Sequence, residues 1–115
     1  MKLMIVEDNP VMRGMIRRLV TGFADEISEC SDGVEALEQY AAERPDWVLM
    51  DIRMKVVNGI GATQQIKAAF PEARIVIVTS FDDAGLREAA HSAGACGYVL
   101  KENLMELRQL IQPQL

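Results

Sequence analysis

The stretch "WVLMDIRM", residues 47–54, drives an apolar run straight into a carboxylate, Asp51. Three other apolar runs end in the same abrupt way: "LMIV" on Glu7–Asp8, "IVIV" on Thr79–Ser80 and "YVL" on Lys101. A charge beside a core is costly unless something pairs with it. If these four ends converge, they bring together three carboxylates, a hydroxyl and an ammonium. Two carboxylates ~4 Å apart repel by about 4 kcal/mol at an effective dielectric near ~20, whereas a whole domain is stable by only ~5–15 kcal/mol. Lys101 offsets part of that repulsion. A hard divalent cation with oxygen ligands, Mg2+, suits the remainder. Soft-metal ligation has little support, because His91 is the one histidine and Cys30 and Cys96 are far apart in sequence. A metal, a carboxylate nucleophile, a hydroxyl and a lysine form a set for phosphoryl transfer. In it Asp51 attacks, Mg2+ and Lys101 neutralise the phosphoryl oxygens, and Thr79 donates a hydrogen bond to one of them.

The elements that must position these residues are legible as an alternation. Leu3–Val6, Trp47–Met50, Ile75–Val78 and Tyr98–Leu100 read as strands, with Glu26–Cys30 a weaker one. The strong runs are apolar throughout, the pattern of parallel strands covered by helices on both faces. Helices are predicted between them. The first covers Pro10–Phe23, is capped by Asn9, and turns Val11, Met15 and Leu19 inward, with Ile16 and Val20 widening the face. The second is capped by Ser31 or Asp32, with Val34, Leu37 and Ala41 inward, and ends near Arg44. The third is capped by Asn58, with Ile60, Thr63, Ile66 and Phe70 inward; the fourth runs from Ala84 to about Ala93, between Asp82 or Asp83 and Gly94. The fifth covers Leu104–Gln112, with Leu104, Leu107 and Ile111 inward and Pro113 beyond. Five β–α units with right-handed crossovers give an α/β fold, a doubly wound (βα)5 three-layer sandwich with a parallel sheet in the order 2-1-3-4-5. In that order strands 1, 3, 4 and 5 are neighbours, and the crevice outside their carboxyl ends collects the residues above.

The chain as a whole bounds the answer. Its 115 residues form one domain, 1–115, with a net charge of −5 and no basic stripe, which argues against nucleic-acid binding by the chain alone. No apolar run reaches membrane-spanning length and "MKLMIV" is too short for a signal peptide. Cys30 and Cys96 fall near opposite sheet edges, too far apart to bridge, and two free thiols suit a cytoplasmic location.

With these residues in order, the sequence resembles a response-regulator receiver domain, the phosphoacceptor module of two-component signalling. The resemblance spans essentially the whole chain through "IVEDNPVMR", "DWVLMDIRM", "NGIGATQQIK", "IVIVTS" and "GACGYVLK". "GYVLKENLMELRQLI" is most similar to receivers linked to a helix-turn-helix, yet the chain stops at Leu115 without an effector domain. The resemblance implies the flavodoxin-like receiver fold and a set of roles. Asp51 takes a phosphoryl group from a phosphohistidine on a sensor histidine kinase or phosphotransfer protein. Asp8 and Asp51 ligate Mg2+ directly, Glu7 acts through water, and the Arg53 carbonyl is a further ligand. Thr79 and Tyr98 switch the face made by helix four, strand five and helix five, while Arg53 and Phe81 tune the rate of phosphate loss. A homodimer is compatible with the family, and DNA contact would come only through an effector domain. On this reading the chain is not an enzyme, since it catalyses transfer only to and from its own Asp51.

Three departures stand out. Lys55 replaces a proline, "VVNG" replaces a more usual Gly-x-Asp-Gly, and Glu102 replaces the proline after Lys101. The first two alter the loop after Asp51; the third makes a cis peptide there costly, by roughly 3 kcal/mol. Other functions fit less well. A receiver-like interaction module acting without phosphate often lacks one of the acidic pair, Thr79 or Lys101. An aspartyl-phosphate phosphatase commonly carries a second Asp where Arg53 stands, and a flavodoxin-type carrier needs a Ser/Thr-rich loop after strand one.

Overall fold

Each continuously apolar run becomes a strand because both of its faces are covered. The computed structural model describes residues 1–111. Strands β1 (Lys2–Val6), β2 (Glu26–Cys30), β3 (Trp47–Met50), β4 (Ile75–Thr79) and β5 (Gly97–Leu100) alternate with helices α1 (Pro10–Val20), α2 (Ala36–Glu43), α3 (Gly59–Ala69), α4 (Ala84–Ala93) and α5 (Met105–Ile111). The sheet order is β2-β1-β3-β4-β5 and every neighbouring pair is parallel. This is the doubly wound 2-1-3-4-5 fold expected from the alternation.

The strand pleat sorts the core into two layers. Leu3, Ile5, Leu49, Val76 and Val99 face Ile16 and Val20 of α1 and Leu107 and Ile111 of α5. Met4, Val6, Val48, Met50 and Ile77 face α2, α3 and α4 through Ala36, Tyr40, Ile66 and Ala90. Central β4 is buried at all five positions, whereas edge strand β2 is buried only at Cys30. Cys30 and Cys96 are free thiols at opposite ends of the strand order. No helix among the described residues is long and apolar enough to cross a membrane.

Several local expectations hold. Asn9 Oδ1 accepts from the Val11 and Met12 amides at 2.9 and 3.1 Å, with Pro10 in the first turn of α1. Asn58 caps α3 through the Gly61 amide at 2.9 Å, and Asp83 caps α4 through the Leu86 amide at 2.9 Å. Asp82 instead pairs with Arg87. Gly94 ends α4, and α2 closes at Arg44.

Others need correction. Helix α1 stops at Val20, not Phe23, and turns Ile16 and Val20 fully inward beside Met12 and Leu19; Val11 and Met15 are 72% and 43% exposed. Helix α2 begins at Ala36 and has no side-chain cap, because Asp32 is engaged elsewhere. Its buried residues are Ala36 and Tyr40, while Val34 and Ala41 are exposed. In α3 the expected face holds, with Thr63 and Ile66 buried and Ile60 and Phe70 packed half-buried on the same core, and Gly59 and Ala62 are buried besides. Helix α5 begins at Met105, after a 3-10 turn over Lys101–Asn103; Leu104 is half-buried, and Leu107 and Ile111 face inward. The expected helix end at Gln112 and the Pro113 stop lie outside the described residues. Peptide bonds in the described residues are all trans, including that between Lys101 and Glu102.

Register explains how the strand ends meet. Val6 of β1 lies opposite Met50 of β3, so Glu7 and Asp51 leave the sheet side by side. The Asp51 amide donates to the Val6 carbonyl at 2.9 Å and fixes that level. Met50 lies opposite Ile77, so β4 runs on to Thr79, which lies opposite Leu100, the residue before Lys101.

Candidate functional site

The carboxyl ends of β1 and β3 place Glu7, Asp8 and Asp51 so that one oxygen from each lies within 4.8 Å of the others. Glu7 and Asp51 are buried, at 1% and 6% exposure, and Asp8 is half-buried. Lys101 reaches in from the end of β5. Its Nζ lies 2.8 Å from Glu7 Oε1 and 3.2 Å from Asp51 Oδ1. The short approach to Glu7 is an ion pair but lies off the hydrogen-bonding direction, and Glu7 Oε1 has no well-aligned donor among the described residues. Glu7 Oε2 accepts from the Asn9 amide at 3.2 Å. The Glu7 carbonyl accepts from Arg13 Nη1 at 2.8 Å, and Arg13 is itself held by Glu29.

The electrostatics follow from burial and crowding. Burial pushes the Glu7 carboxyl up to about 7; Lys101 and the Asn9 amide oppose this, and the nearby Asp51 charge adds to it. Burial also raises Asp51, against the pull of Lys101. Burial alone would lower Lys101, but Glu7 and Asp51 outweigh it and hold the ammonium above its ordinary value. The pocket therefore holds more negative charge than Lys101 balances. A buried, unaligned Glu7 oxygen beside two further carboxylates is a donor set for a hard, oxygen-preferring divalent cation.

The backbone behind Asp51 is tightly enclosed. Gly59, the first residue of α3, packs so closely that a Cβ there would lie 1.8 Å from the Asp51 carbonyl oxygen. Only glycine permits this approach. The Gly59 amide donates to the Ile52 carbonyl at 2.8 Å and closes the loop that carries Arg53 to Asn58.

The remaining expected residues gather around Phe81. Thr79 is fully buried, and its Oγ1 accepts from the Phe81 amide at 3.2 Å. The Tyr98 hydroxyl donates to the Phe81 carbonyl at 2.6 Å, and Arg87 lies over the Tyr98 ring at 4.5 Å. Exposed Arg53 lies over the Phe81 ring at 4.5 Å. Phe81 thus joins the loop after Asp51 to both Thr79 and Tyr98. Sequence reasoning took Arg53 and Phe81 together only as rate-tuning positions and missed this stacking. It also missed Arg13, whose helical position carries no signal of its contact with the Glu7 carbonyl, and it read Asp32 only as a cap.

The sequence profile of the response regulator receiver domain matches residues 3–112. The transcriptional regulatory protein LnrK of Bacillus subtilis is 36% identical over 103 residues, covering 88% of this chain and 47% of LnrK. The chain therefore spans about half the length of that relative. Chemotaxis protein CheY of Halobacterium salinarum is 36% identical over 100 residues, covering 87% of this chain and 83% of CheY. Among solved structures, a LuxR-family two-component response regulator from an Aurantimonas species superposes with a TM-score of 0.91 at 35% identity, covering 96% of this chain and 81% of that one. The receiver domain of a sensor histidine kinase from Pseudomonas aeruginosa, which has a magnesium ion coordinated in its active-site cleft, superposes with a TM-score of 0.87 at 30% identity, covering 96% and 93%.

Proposed function

The chain belongs to the response-regulator receiver family, and from that premise we propose that it is a phosphorylation switch whose acceptor is Asp51. The observation that carries this reading is the convergence of Glu7, Asp8 and Asp51 oxygens within 4.8 Å, with Lys101 Nζ on two of them. Asp8, Asp51 and the Arg53 carbonyl would hold Mg2+, with Glu7 acting through a water. The ion, when bound, supplies positive charge to the phosphoryl oxygens.

An Asp51 carboxylate oxygen attacks phosphorus of a phosphohistidine on a kinase or phosphotransfer protein. The new bond is O–P, the bond broken is P–N, and the imidazole leaves with the electron pair. Lys101 Nζ, already on Asp51, is placed to neutralise a phosphoryl oxygen. The Thr79 hydroxyl, now an acceptor from the Phe81 amide, would give up that bond and donate to another oxygen. Tyr98 is bonded to the carbonyl of the same Phe81, so a moving Thr79 would draw on the α4–β5–α5 face. Arg53 and Phe81, stacked beside the acceptor loop, would govern water access and so the rate of phosphate loss. The Arg53 position holds a guanidinium and no acid, which disfavours a multiple-turnover phosphatase. Output, including any contact with DNA, would lie with partners or further domains.

Intact-mass measurement after incubation with acetyl phosphate tests this. One phosphoryl adduct requiring both Mg2+ and Asp51 is expected. No adduct on the wild-type chain, or the same adduct on Asp51→Asn, refutes it and leaves a receiver-like interaction module acting without phosphate.

A further inference from the structure

The loop between Asp51 and α3 has no regular structure of its own, yet it carries Arg53 and sets the backbone beside the acceptor. It is closed at its base by Gly59 N–H on the Ile52 carbonyl. Its tip is held by a residue from a different part of the chain. Asp32, in the β2–α2 connection, is 7% exposed. Its Oδ2 accepts from the Val56 amide at 2.9 Å, and its Oδ1 accepts from the Val57 amide at 3.1 Å and the Val34 amide at 2.9 Å. Next to it Gly33 lies so close that a Cβ would come 2.5 Å from the Val57 carbonyl oxygen. Asn58, the following residue, caps α3.

We propose that Asp32 is a positioning residue for the phosphoacceptor site: its carboxylate clamps Val56 and Val57, and so sets the path of the Ile52–Asn58 loop that presents Arg53 beside Asp51. This rests on the phosphoacceptor reading above. The loop has Lys55 where the family pattern has proline and Val56 where it has glycine, so these two positions lack the turn-forming residues the pattern supplies. Ile52 is buried and Met54 and Val57 pack against the core, but Lys55 and the 72% exposed Val56 at the tip give no such support. The order comes from outside, through charge-assisted hydrogen bonds that are shorter and stronger than neutral ones. With the base and the tip both fixed, Arg53 and Met54 have few paths left between them. Asp32 touches none of the reacting atoms and acts through the loop alone.

The test compares wild type with Asp32→Ala, Asp32→Asn and Ile66→Val, the last removing one buried methylene of α3 away from the clamp. Amide exchange is read at Val56 and Val57 by NMR, and Mg2+ affinity by calorimetric titration with MgCl2. Asp32→Ala is expected to speed exchange at both amides by about tenfold or more and to weaken Mg2+ binding by about ten- to a hundredfold, as loss of a supporting contact around a metal typically does. Asp32→Asn keeps one acceptor oxygen and should fall between. Ile66→Val should lower stability and leave Mg2+ affinity unchanged. Wild-type Mg2+ affinity in Asp32→Ala, an equal loss in Ile66→Val, or amides that stay protected would each overturn the proposal. A wild-type chain that binds no Mg2+ would instead overturn the phosphoacceptor reading, and this inference with it.

Discussion

Replacing Asp51 with asparagine should stabilise the metal-free protein, although it removes an ion pair. The comparison is made at pH 8, above the value of about 7 to which burial raises Glu7. Asp51 gains from Lys101 at 3.2 Å, an attraction of about 5 kcal/mol at an effective dielectric of ~20. It loses against Glu7 and Asp8, whose oxygens lie within 4.8 Å; each repulsion is about 3.5 kcal/mol or more by the same estimate. Removing the charge therefore relieves about 2 kcal/mol, and it also lifts the burial cost that already raises the Asp51 carboxyl. Lys101 keeps its closer partner, Glu7, at 2.8 Å. For a domain of this size each kcal/mol moves the midpoint by roughly 4 °C, so a rise of about 8 °C is expected. The assay is thermal unfolding by circular dichroism in EDTA, repeated with MgCl2. Wild type should gain about 1.4 kcal/mol at a Mg2+ concentration ~10-fold above Kd, and Asp51→Asn should gain less. A variant that melts at or below wild type in EDTA would refute the charge argument.

Further outcomes follow from the same pocket and its backbone. The Glu7 carboxyl is raised to about 7 when folded, above its ordinary value of 4.5. The folded state therefore binds the extra proton between those values, and its contribution is present below pH ~4.5 and is lost as pH rises through ~7. Metal-free urea midpoints should fall across that window, and Glu7→Gln should flatten the fall; an unchanged slope would contradict the burial of Glu7. Lys101→Met leaves both carboxylates without their ammonium and should cost about 3–5 kcal/mol by urea unfolding at pH 8 without metal, with loss of phosphoryl uptake; a cost under ~1 kcal/mol would exclude the ion pairs. Gly59→Ala sets a Cβ against the Asp51 carbonyl and should destabilise by about 1–3 kcal/mol in the same assay, while a neutral result would mean that α3 does not approach Asp51 as described.

The strand ends were legible because each apolar run stops abruptly on a polar residue, and the parallel order then fixes which ends adjoin. Helix faces were less so. In α1 the stripes Val11–Met15–Leu19 and Met12–Ile16–Leu19 both satisfy a 3.6-residue period. The choice between them is made by tertiary packing, where Ile16 and Val20 meet Leu3, Ile5 and Leu49 of the sheet, and periodicity does not encode it. In α2 the expected start failed because "SDG" reads equally well as a cap, while Asp32 spends its oxygens on Val56 and Val57, more than twenty residues away in sequence. A long-range side-chain-to-backbone bond of this kind leaves no local pattern. Phe81 is similar: its stacking with Arg53 and its carbonyl bond to Tyr98 arise only when β3, β4 and β5 lie side by side. The methionines also divide by position, with Met4 and Met50 in the core and Met105 62% exposed.

The most direct test of the account is to locate the phosphoryl group. Wild-type chain is treated with acetyl phosphate and Mg2+, reduced with borohydride, which converts an acyl phosphate to an alcohol, and mapped by peptide mass spectrometry. The account predicts homoserine at position 51 and nowhere else, dependent on Mg2+. An alcohol at Glu7 or Asp8, or an unreduced chain despite Mg2+ and donor, would contradict the assignment of Asp51 as the acceptor.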